Sequence, residues 1–121
     1  KNIEAFGLKK DFESLNGLMF TEPLDYFSFQ KLIKYSKFIL TDSGGIQEES
    51  TFLKVPCLTL RPNTERPVTC TLGTNTLVPF DVKSILDYVS QIETGSYKKG
   101  QVPPLWDGKA TERIFEAINK F

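Results

Sequence analysis

Residues 37–60 read KFILTDSGGIQEESTFLKVPCLTL. The apolar runs at 37–41 and 56–60 have the length and composition of strands that are buried on both faces. The segment at 45–53 follows a Ser-Gly-Gly turn and predicts a helix. A strand, a helix and a second strand at this spacing predict two parallel strands joined by a right-handed crossover, the repeating unit of α/β proteins.

The rest of the chain continues the same alternation. Two more apolar runs, at 18–20 and 76–78, predict strands. Asp25, Asp81 and Asp107 are placed to cap helices, and Gly95 is placed to end one. The predicted order is strand 18–20, helix 25–36, strand 37–41, helix 45–53, strand 56–60, helix 67–72, strand 76–78, a helix between Val82 and Gly95, and a last helix after Asp107. This order predicts an α/β fold in which helices cover a parallel sheet.

Three of the predicted helices carry an apolar face. The faces consist of Phe29, Leu32 and Ile33 on the first helix, Val82, Ile85, Leu86, Val89 and Ile92 on the fourth, and Ala110, Ile114, Phe115 and Ile118 on the last.

Length and charge limit the class of protein. The 121 residues suffice for one domain, and 40% hydrophobic with 25% charged residues is typical of a soluble globular chain. A formal net charge of zero argues against a nucleic-acid partner. The chain has no His, which excludes a Ser-His-Asp triad and a His-bearing zinc site within it. We expect no metal and no cofactor.

The cysteines, the apolar runs and the first residues predict the redox state, the location and the extent of the protein. Cys57 and Cys70 fit neither a zinc site nor a disulfide framework, so we expect both to be reduced and packed. Because no apolar run approaches the roughly 20 residues of a membrane span, we expect a cytoplasmic protein without a membrane partner. The chain begins without Met, and residues 1–7 read as the end of a helix stopped by Gly7. We therefore expect a piece of a longer protein.

Ligands of parallel α/β sheets bind beyond the carboxyl ends of the strands, which directs attention to the loops at 21–23, 42–45 and 61–66. Ser43, Gly44 and Gly45 stand between a strand and a helix start, where free N–H groups and roughly half a positive charge favour a phosphate. The alternative is that Ser43 only caps the helix and the glycines only make a tight turn. The loop is neither a P-loop nor a dinucleotide fingerprint.

Three further side chains have both a binding and a structural interpretation. Glu49 lies one helical turn beyond Gly45 and can accept hydrogen bonds from the two hydroxyls of a ribose, or it belongs to a solvated acidic face with Glu48. Arg66 follows the third strand and can bind a phosphate in bidentate fashion, or it forms a surface pair with Glu65. Phe29 can stack on a base, although an aromatic residue at helical spacing is more often part of the core.

Taken in order, the segments TDSGGIQEE at 41–49, TERP at 64–67 and GTNTLV at 73–78 resemble the C-terminal, nucleotide-binding half of the non-hydrolysing UDP-N-acetylglucosamine 2-epimerases. Weaker resemblance extends to PLDY at 23–26 and WDGKA at 106–110. The resemblance implies a Rossmann-like parallel sheet, part of the C-terminal domain of a two-domain GT-B enzyme that acts as a homodimer. It implies that residues 1–121 are part of the UDP-binding domain.

The same resemblance assigns roles to individual residues. It implies that Ser43, Gly44, Gly45 and Arg66 bind the diphosphate, that Glu49 binds the ribose hydroxyls and that Phe29 faces the uracil. It implies an enzyme that interconverts UDP-N-acetylglucosamine and UDP-N-acetylmannosamine by anti elimination of UDP, through 2-acetamidoglucal, and re-addition. No catalytic residue of that reaction matches this chain.

The sequence departs from the family pattern in two ways. First, Val68 stands where many members have Glu. Second, the family's His-Pro-Arg-Thr stretch would fall before Lys1. The domain that carries the acid-base residues and two central strands of the sheet would fall there as well. We therefore predict that the chain alone binds UDP weakly, if at all, and is inactive. The strand at 18–20 would either re-pair beside 37–41 or expose an edge that drives association.

Two alternatives stay open on the sequence. One is the nucleotide-sugar-binding domain of a GT-B glycosyltransferase, against which the TERP segment argues. The other is a non-catalytic nucleotide-binding or dimerisation module.

Overall fold

The computed structural model describes residues 5–120, which form three strands and six helices. In chain order these elements are α1 (Lys9–Glu13), α2 (Tyr26–Tyr35), β1 (Ile39–Thr41), α3 (Gly44–Leu53), β2 (Cys57–Thr59), α4 (Pro67–Thr71), β3 (Asn75–Leu77), α5 (Val82–Glu93) and α6 (Ala110–Ile118). The helices predicted at 25–36, 45–53 and 67–72 are confirmed within one or two residues. The short helix α1 has no counterpart in the sequence prediction.

The sheet is parallel and its strands lie in the order β1-β2-β3. Cys57 lies opposite Ile39 on one side and opposite Asn75 on the other. Helices α3 and α4 connect successive strands, so all three carboxyl ends meet at one edge of the sheet. The α/β class and the Rossmann-like parallel sheet with flanking helices are confirmed.

The strand predicted at residues 18–20 is wrong. Leu18, Met19 and Phe20 have no regular secondary structure, and their side chains are 46%, 82% and 56% exposed. A three-residue run forms a strand only when a neighbour supplies the hydrogen-bonded ladder. Within residues 5–120 the outer edge of β1 pairs with no strand, so the predicted re-pairing beside 37–41 is also wrong.

Aspartates start two helices as predicted, and a third acts differently. The carboxylate of Asp25 accepts the Ser28 N–H at 3.1 Å, and that of Asp81 accepts the Ser84 N–H at 2.8 Å. Asp107 does not occupy the N-cap position, which belongs to Lys109. Its carboxylate instead accepts the Lys109 N–H at 3.0 Å and pairs with Arg113 at 2.9 Å, so it supports the first turn of α6 from outside. The helix end predicted before Gly7 lies largely outside the described residues.

The core lies between the sheet and α5. Leu58, Val78 and Tyr97 are its buried centre, and α5 packs Ile85, Val89 and Ile92 against it. Val82 and Leu86, the other members of the apolar face predicted for α5, lie at the edge of that face and are 72% and 59% exposed. Cys57 is buried and Cys70 partly buried, and neither forms a disulfide, which confirms that prediction.

The predicted apolar faces of α2 and α6 differ in burial. On α2, Ile33 is 3% exposed whereas Leu32 is 54% exposed. On α6, Ile114, Phe115 and Ile118 are 59% to 65% exposed, because periodicity defines a helix face without defining what covers it. Among residues 5–120, no helix is long and apolar enough to cross a membrane.

Candidate functional site

The turn between β1 and α3 presents unpaired donors at the start of a helix. Ser43 occupies the N-cap with an extended backbone, but its side chain makes no capping hydrogen bond. The Ser43 N–H donates to Thr41 Oγ1 at 3.0 Å, which holds the turn against the end of β1. The first N–H groups of α3 have no acceptor within the helix. The Ser43 hydroxyl is thus not used for capping, contrary to the purely structural alternative.

Arg66 lies directly against Gly44. A Cβ atom on Gly44 would stand 2.8 Å from Nη1 of Arg66 and 3.2 Å from its Cζ, which is closer than real side chains approach. The missing side chain at Gly44 therefore makes room for the guanidinium at the first turn of α3. Arg66, which follows β2, and the Ser43 turn, which follows β1, therefore lie side by side at the carboxyl ends of neighbouring strands.

Two carboxylates accompany the Arg66 guanidinium. Nε lies 2.9 Å from an oxygen of Glu48, and Nη1 lies 3.3 Å from an oxygen of Glu65. Glu48 first, and then Glu65, raise the pKa of Arg66, so the group is always cationic. The structural interpretation of Arg66 was a surface ion pair with Glu65 alone. The second pair, with Glu48, connects Arg66 to helix α3. Among the described residues, Nη2 of Arg66 has no ion-pair partner with a carboxylate.

A pocket of about 280 Å³ lies beside this pair, between α2 and α3. Its lining side chains are Tyr26, Gln30, Glu48, Glu49, Phe52 and Trp106. Glu49 supplies a carboxylate acceptor, and Nε2 of Gln30 is a buried donor without a partner in the described part of the chain. Aromatic side chains together with an amide donor and carboxylate acceptors suit a ring that carries hydroxyl groups. Because Glu48 both lines the pocket and pairs with Arg66, the pocket and the helix start form one site.

The structure does not bring every predicted residue into this site. Phe29 is partly buried on α2, next to Gln30 in sequence, and is not among the side chains that line the pocket. The loop at 21–23 follows no strand and is exposed.

Five pocket residues were not predicted as site residues, among them Glu48, which the sequence placed only on a solvated acidic face. Tyr26 and Trp106 lie in the two stretches of weaker family resemblance, so a signal for them was present. Gln30 and Phe52 have no distinguishing pattern in the sequence, because their role depends on how α2 packs on α3.

A parallel α/β unit with a helix that starts beyond the carboxyl end of a strand belongs to the class of Rossmann-like α/β domains. The comparison with protein families names the particular one: the family model for UDP-N-acetylglucosamine 2-epimerase matches residues 4–119. The chain belongs to the UDP-N-acetylglucosamine 2-epimerase family.

Individual relatives agree with this assignment. A UDP-N-acetylglucosamine 2-epimerase of Methanocaldococcus jannaschii is 40% identical over 118 residues, which are 98% of this chain and 32% of that protein. The crystal structure of the enzyme from that organism in complex with UDP-GlcNAc and UDP matches with a TM-score of 0.81 at 37% identity, over 98% of this chain and 32% of that one. The Neisseria meningitidis enzyme bound to UDP-GlcNAc matches with a TM-score of 0.75 at 29% identity, over 99% and 34%. This chain spans about a third of the length of these relatives.

Proposed function

We propose that this chain is the UDP-binding portion of an enzyme that interconverts UDP-N-acetylglucosamine and UDP-N-acetylmannosamine. The observation that carries the proposal is the position of Arg66 against Gly44 at the start of α3. A guanidinium and free N–H groups at one place form a receptor for a diphosphate. Membership of the epimerase family and the relatives that bind UDP-GlcNAc support the same conclusion.

In the proposed complex, different residues of the site bind the diphosphate, the ribose and the uracil. The N–H groups at Gly44 and Gly45, the Ser43 hydroxyl and the Arg66 guanidinium hold the diphosphate. Glu49 accepts hydrogen bonds from the two ribose hydroxyls, a role that is favoured because it shares the pocket with Glu48, the partner of Arg66. Phe29 faces the uracil, a role that rests on the family resemblance alone.

The proposed reaction is an elimination followed by an addition. A base removes the proton at C2 of the sugar, the C1–O bond to UDP breaks, and the electron pair forms the C1=C2 double bond of 2-acetamidoglucal. UDP then adds back to C1 while a proton is delivered to the opposite face of C2. Negative charge grows on the departing diphosphate, and donors already fixed around it lower the barrier. The groups that move the C2 proton come from outside this chain.

The proposed context is part of a C-terminal Rossmann-like domain within a larger homodimeric enzyme. The outer edge of β1 is unpaired within residues 5–120, and Leu40 on that strand is 45% exposed. An open, apolar strand edge is a site where a further strand adds. The further central strands would add at this edge, whereas the catalytic N-terminal domain would face the carboxyl ends of the strands, where the nucleotide binds.

Calorimetric titration of UDP tests the proposal, using both the isolated chain and the complete product of the gene that encodes it. We expect the complete protein to bind UDP and to form UDP-N-acetylmannosamine, and the isolated chain to bind weakly and to form none. Glu49→Ala should weaken UDP binding about tenfold or more, since hydrogen bonds to a charged group are lost. Glu93→Ala on α5 is the matched control, because this glutamate is exposed and, within residues 5–120, forms an ion pair only with Lys37.

Two outcomes would contradict the proposal. A folded complete protein that does not bind UDP would exclude the nucleotide site. A complete protein that transfers the sugar to an acceptor, without forming the C2 epimer, would favour the glycosyltransferase alternative instead.

A further inference from the structure

The hydroxyl of Thr64 links Arg66 to the interior of the protein. Oγ1 of Thr64 donates to Oε1 of Gln47 at 2.6 Å and accepts the backbone N–H of Arg66 at 3.0 Å. Gln47 is completely buried on α3, whereas Thr64 and Arg66 belong to the loop between β2 and α4. One hydroxyl group therefore connects the loop that carries the guanidinium to the helix whose first turn the guanidinium contacts.

Gln47 is itself held in place from the sheet. Its Oε1 also accepts a hydrogen bond from Nδ2 of Asn75 at 3.1 Å, and Oδ1 of Asn75 accepts one from the Thr59 hydroxyl at 2.6 Å. All three side chains are completely buried. Nε2 of Gln47 is buried without a hydrogen-bond partner among the described residues, so both hydrogen bonds that hold this amide are made by Oε1, one with Thr64 and one with Asn75.

The carbonyl side of Arg66 is tied to the same asparagine. Its backbone oxygen accepts the Thr69 hydroxyl at 2.7 Å and the Thr69 N–H at 3.0 Å. That hydroxyl in turn accepts a hydrogen bond from Nδ2 of Asn75 at 3.0 Å. The N–H and the C=O of Arg66 are thus both anchored to Asn75, one through Thr64 and Gln47 and the other through Thr69.

We propose that Thr64 is a positioning residue for recognition of the nucleotide diphosphate. Its hydroxyl sets the backbone direction from which the Arg66 side chain extends to Gly44. Arginine has many rotamers, and a backbone anchored at both ends reduces the entropy lost when the guanidinium binds a phosphate. The inference rests on the proposed function and adds a residue that itself contacts no ligand.

The test is calorimetric titration of UDP and of uridine into the complete gene product carrying Thr64→Val or Thr64→Ser. Valine keeps the shape and removes the hydroxyl, whereas serine keeps the hydroxyl. We expect Thr64→Val to weaken UDP binding about tenfold and to leave uridine binding within about twofold of wild type, because only the phosphate contact is affected. Thr64→Ser should bind UDP within about twofold of wild type.

Thr71→Val is the matched control, because it removes an exposed threonine hydroxyl from the neighbouring helix α4. Circular dichroism checks that each variant folds. If Thr64→Val does not fold, Thr64→Ala removes the same hydroxyl without forcing a methyl group into its place.

A double-mutant cycle with Arg66→Ala separates positioning from general support of the fold. We expect Thr64→Val to cause no further loss of UDP affinity once Arg66 is absent. Wild-type UDP affinity in Thr64→Val, or an equal loss with and without Arg66, would overturn the inference. So would an Arg66→Ala protein that binds UDP as the wild type does. A complete wild-type protein that does not bind UDP would instead overturn the proposed function, and this inference with it.

Discussion

Tyr97 connects the segment after α5 to the start of β3 through its hydroxyl group. That hydroxyl lies 2.7 Å from Oγ1 of Thr76 and donates to the Thr74 carbonyl at 2.8 Å. The ring is 8% exposed and packs with Leu58 and Val78 at the centre of the core. Tyr97→Phe therefore removes the hydrogen bonds and keeps the packing.

The expected cost of Tyr97→Phe at neutral pH follows from the hydrogen bonds that are lost. The Thr74 carbonyl keeps the Cys57 N–H at 3.2 Å as a donor, so it is not left unpaired. The lost bonds to the Thr74 carbonyl and the Thr76 hydroxyl are each worth about 0.5 to 1.5 kcal/mol of unfolding free energy. We expect a destabilisation of about 1 to 3 kcal/mol in total.

The cost should fall at alkaline pH. Burial raises the pKa of Tyr97 from 10.0 to about 12, because the native state disfavours the phenolate. Below the pKa of Tyr97 in the unfolded chain, the phenol is protonated in both states and its hydrogen bonds contribute fully to the unfolding free energy. Above that pKa the unfolded chain ionises first, so this contribution is lost as the pH rises through the pKa of the folded state. At about pH 11 this ionisation should lower the unfolding free energy of the wild type by about 1.4 kcal/mol relative to neutral pH. Tyr97→Phe has no phenol at this position, so its unfolding free energy should not fall for this reason.

Urea denaturation followed by circular dichroism at about pH 8 and about pH 11 measures both effects. Tyr35→Phe is the matched control, since that ring is 73% exposed and its variant should unfold as the wild type does at the lower pH. A Tyr97→Phe penalty of the same size at both pH values would refute the reasoning. The absence of any penalty at the lower pH would refute the hydrogen-bond assignment itself.

Three further predictions concern single positions. Gly44→Ala should weaken UDP binding by the complete protein without unfolding it, since the new Cβ at 2.8 Å displaces the flexible end of Arg66; unchanged affinity in a titration would contradict this. Gly100→Ala should destabilise the chain by about 1 to 3 kcal/mol in urea denaturation, because its Cβ would lie 2.4 Å from the rigid backbone of Gly73; an unchanged midpoint would contradict this. Hydrogen bonds from Ser84 lower the pKa of Asp81, so the capping carboxylate stabilises α5 above the usual carboxyl pKa and this stability is lost as the pH falls. Asp81→Ala should therefore make the thermal unfolding temperature depend less on pH in the acid range. An unchanged pH dependence would contradict this.

Much of the fold follows from local signals. Short apolar runs separated by amphipathic segments predicted β1, β2 and β3 and the helices between them. Asp25 and Asp81 predicted two helix starts, because a capping carboxylate needs only the N–H groups of the next turn. The turn at Ser43 and the carboxylate at Glu49 were likewise predictable, since helical geometry relates them without reference to other elements.

The remainder of the site depends on contacts between distant segments. The sequence does not show that Arg66 pairs with Glu48 as well as with its neighbour Glu65, or that Gln30 and Trp106 meet Glu49 in one pocket. The run at residues 18–20 has the composition of a strand, yet strand formation requires a partner that local composition does not encode. Composition and periodicity therefore determined the α/β class, the helix starts and the Ser-Gly-Gly turn before α3. Only the tertiary structure decided which strands pair, where Arg66 points and how Thr64, Gln47 and Asn75 hold it, because these features depend on hydrogen bonds between residues far apart in the chain.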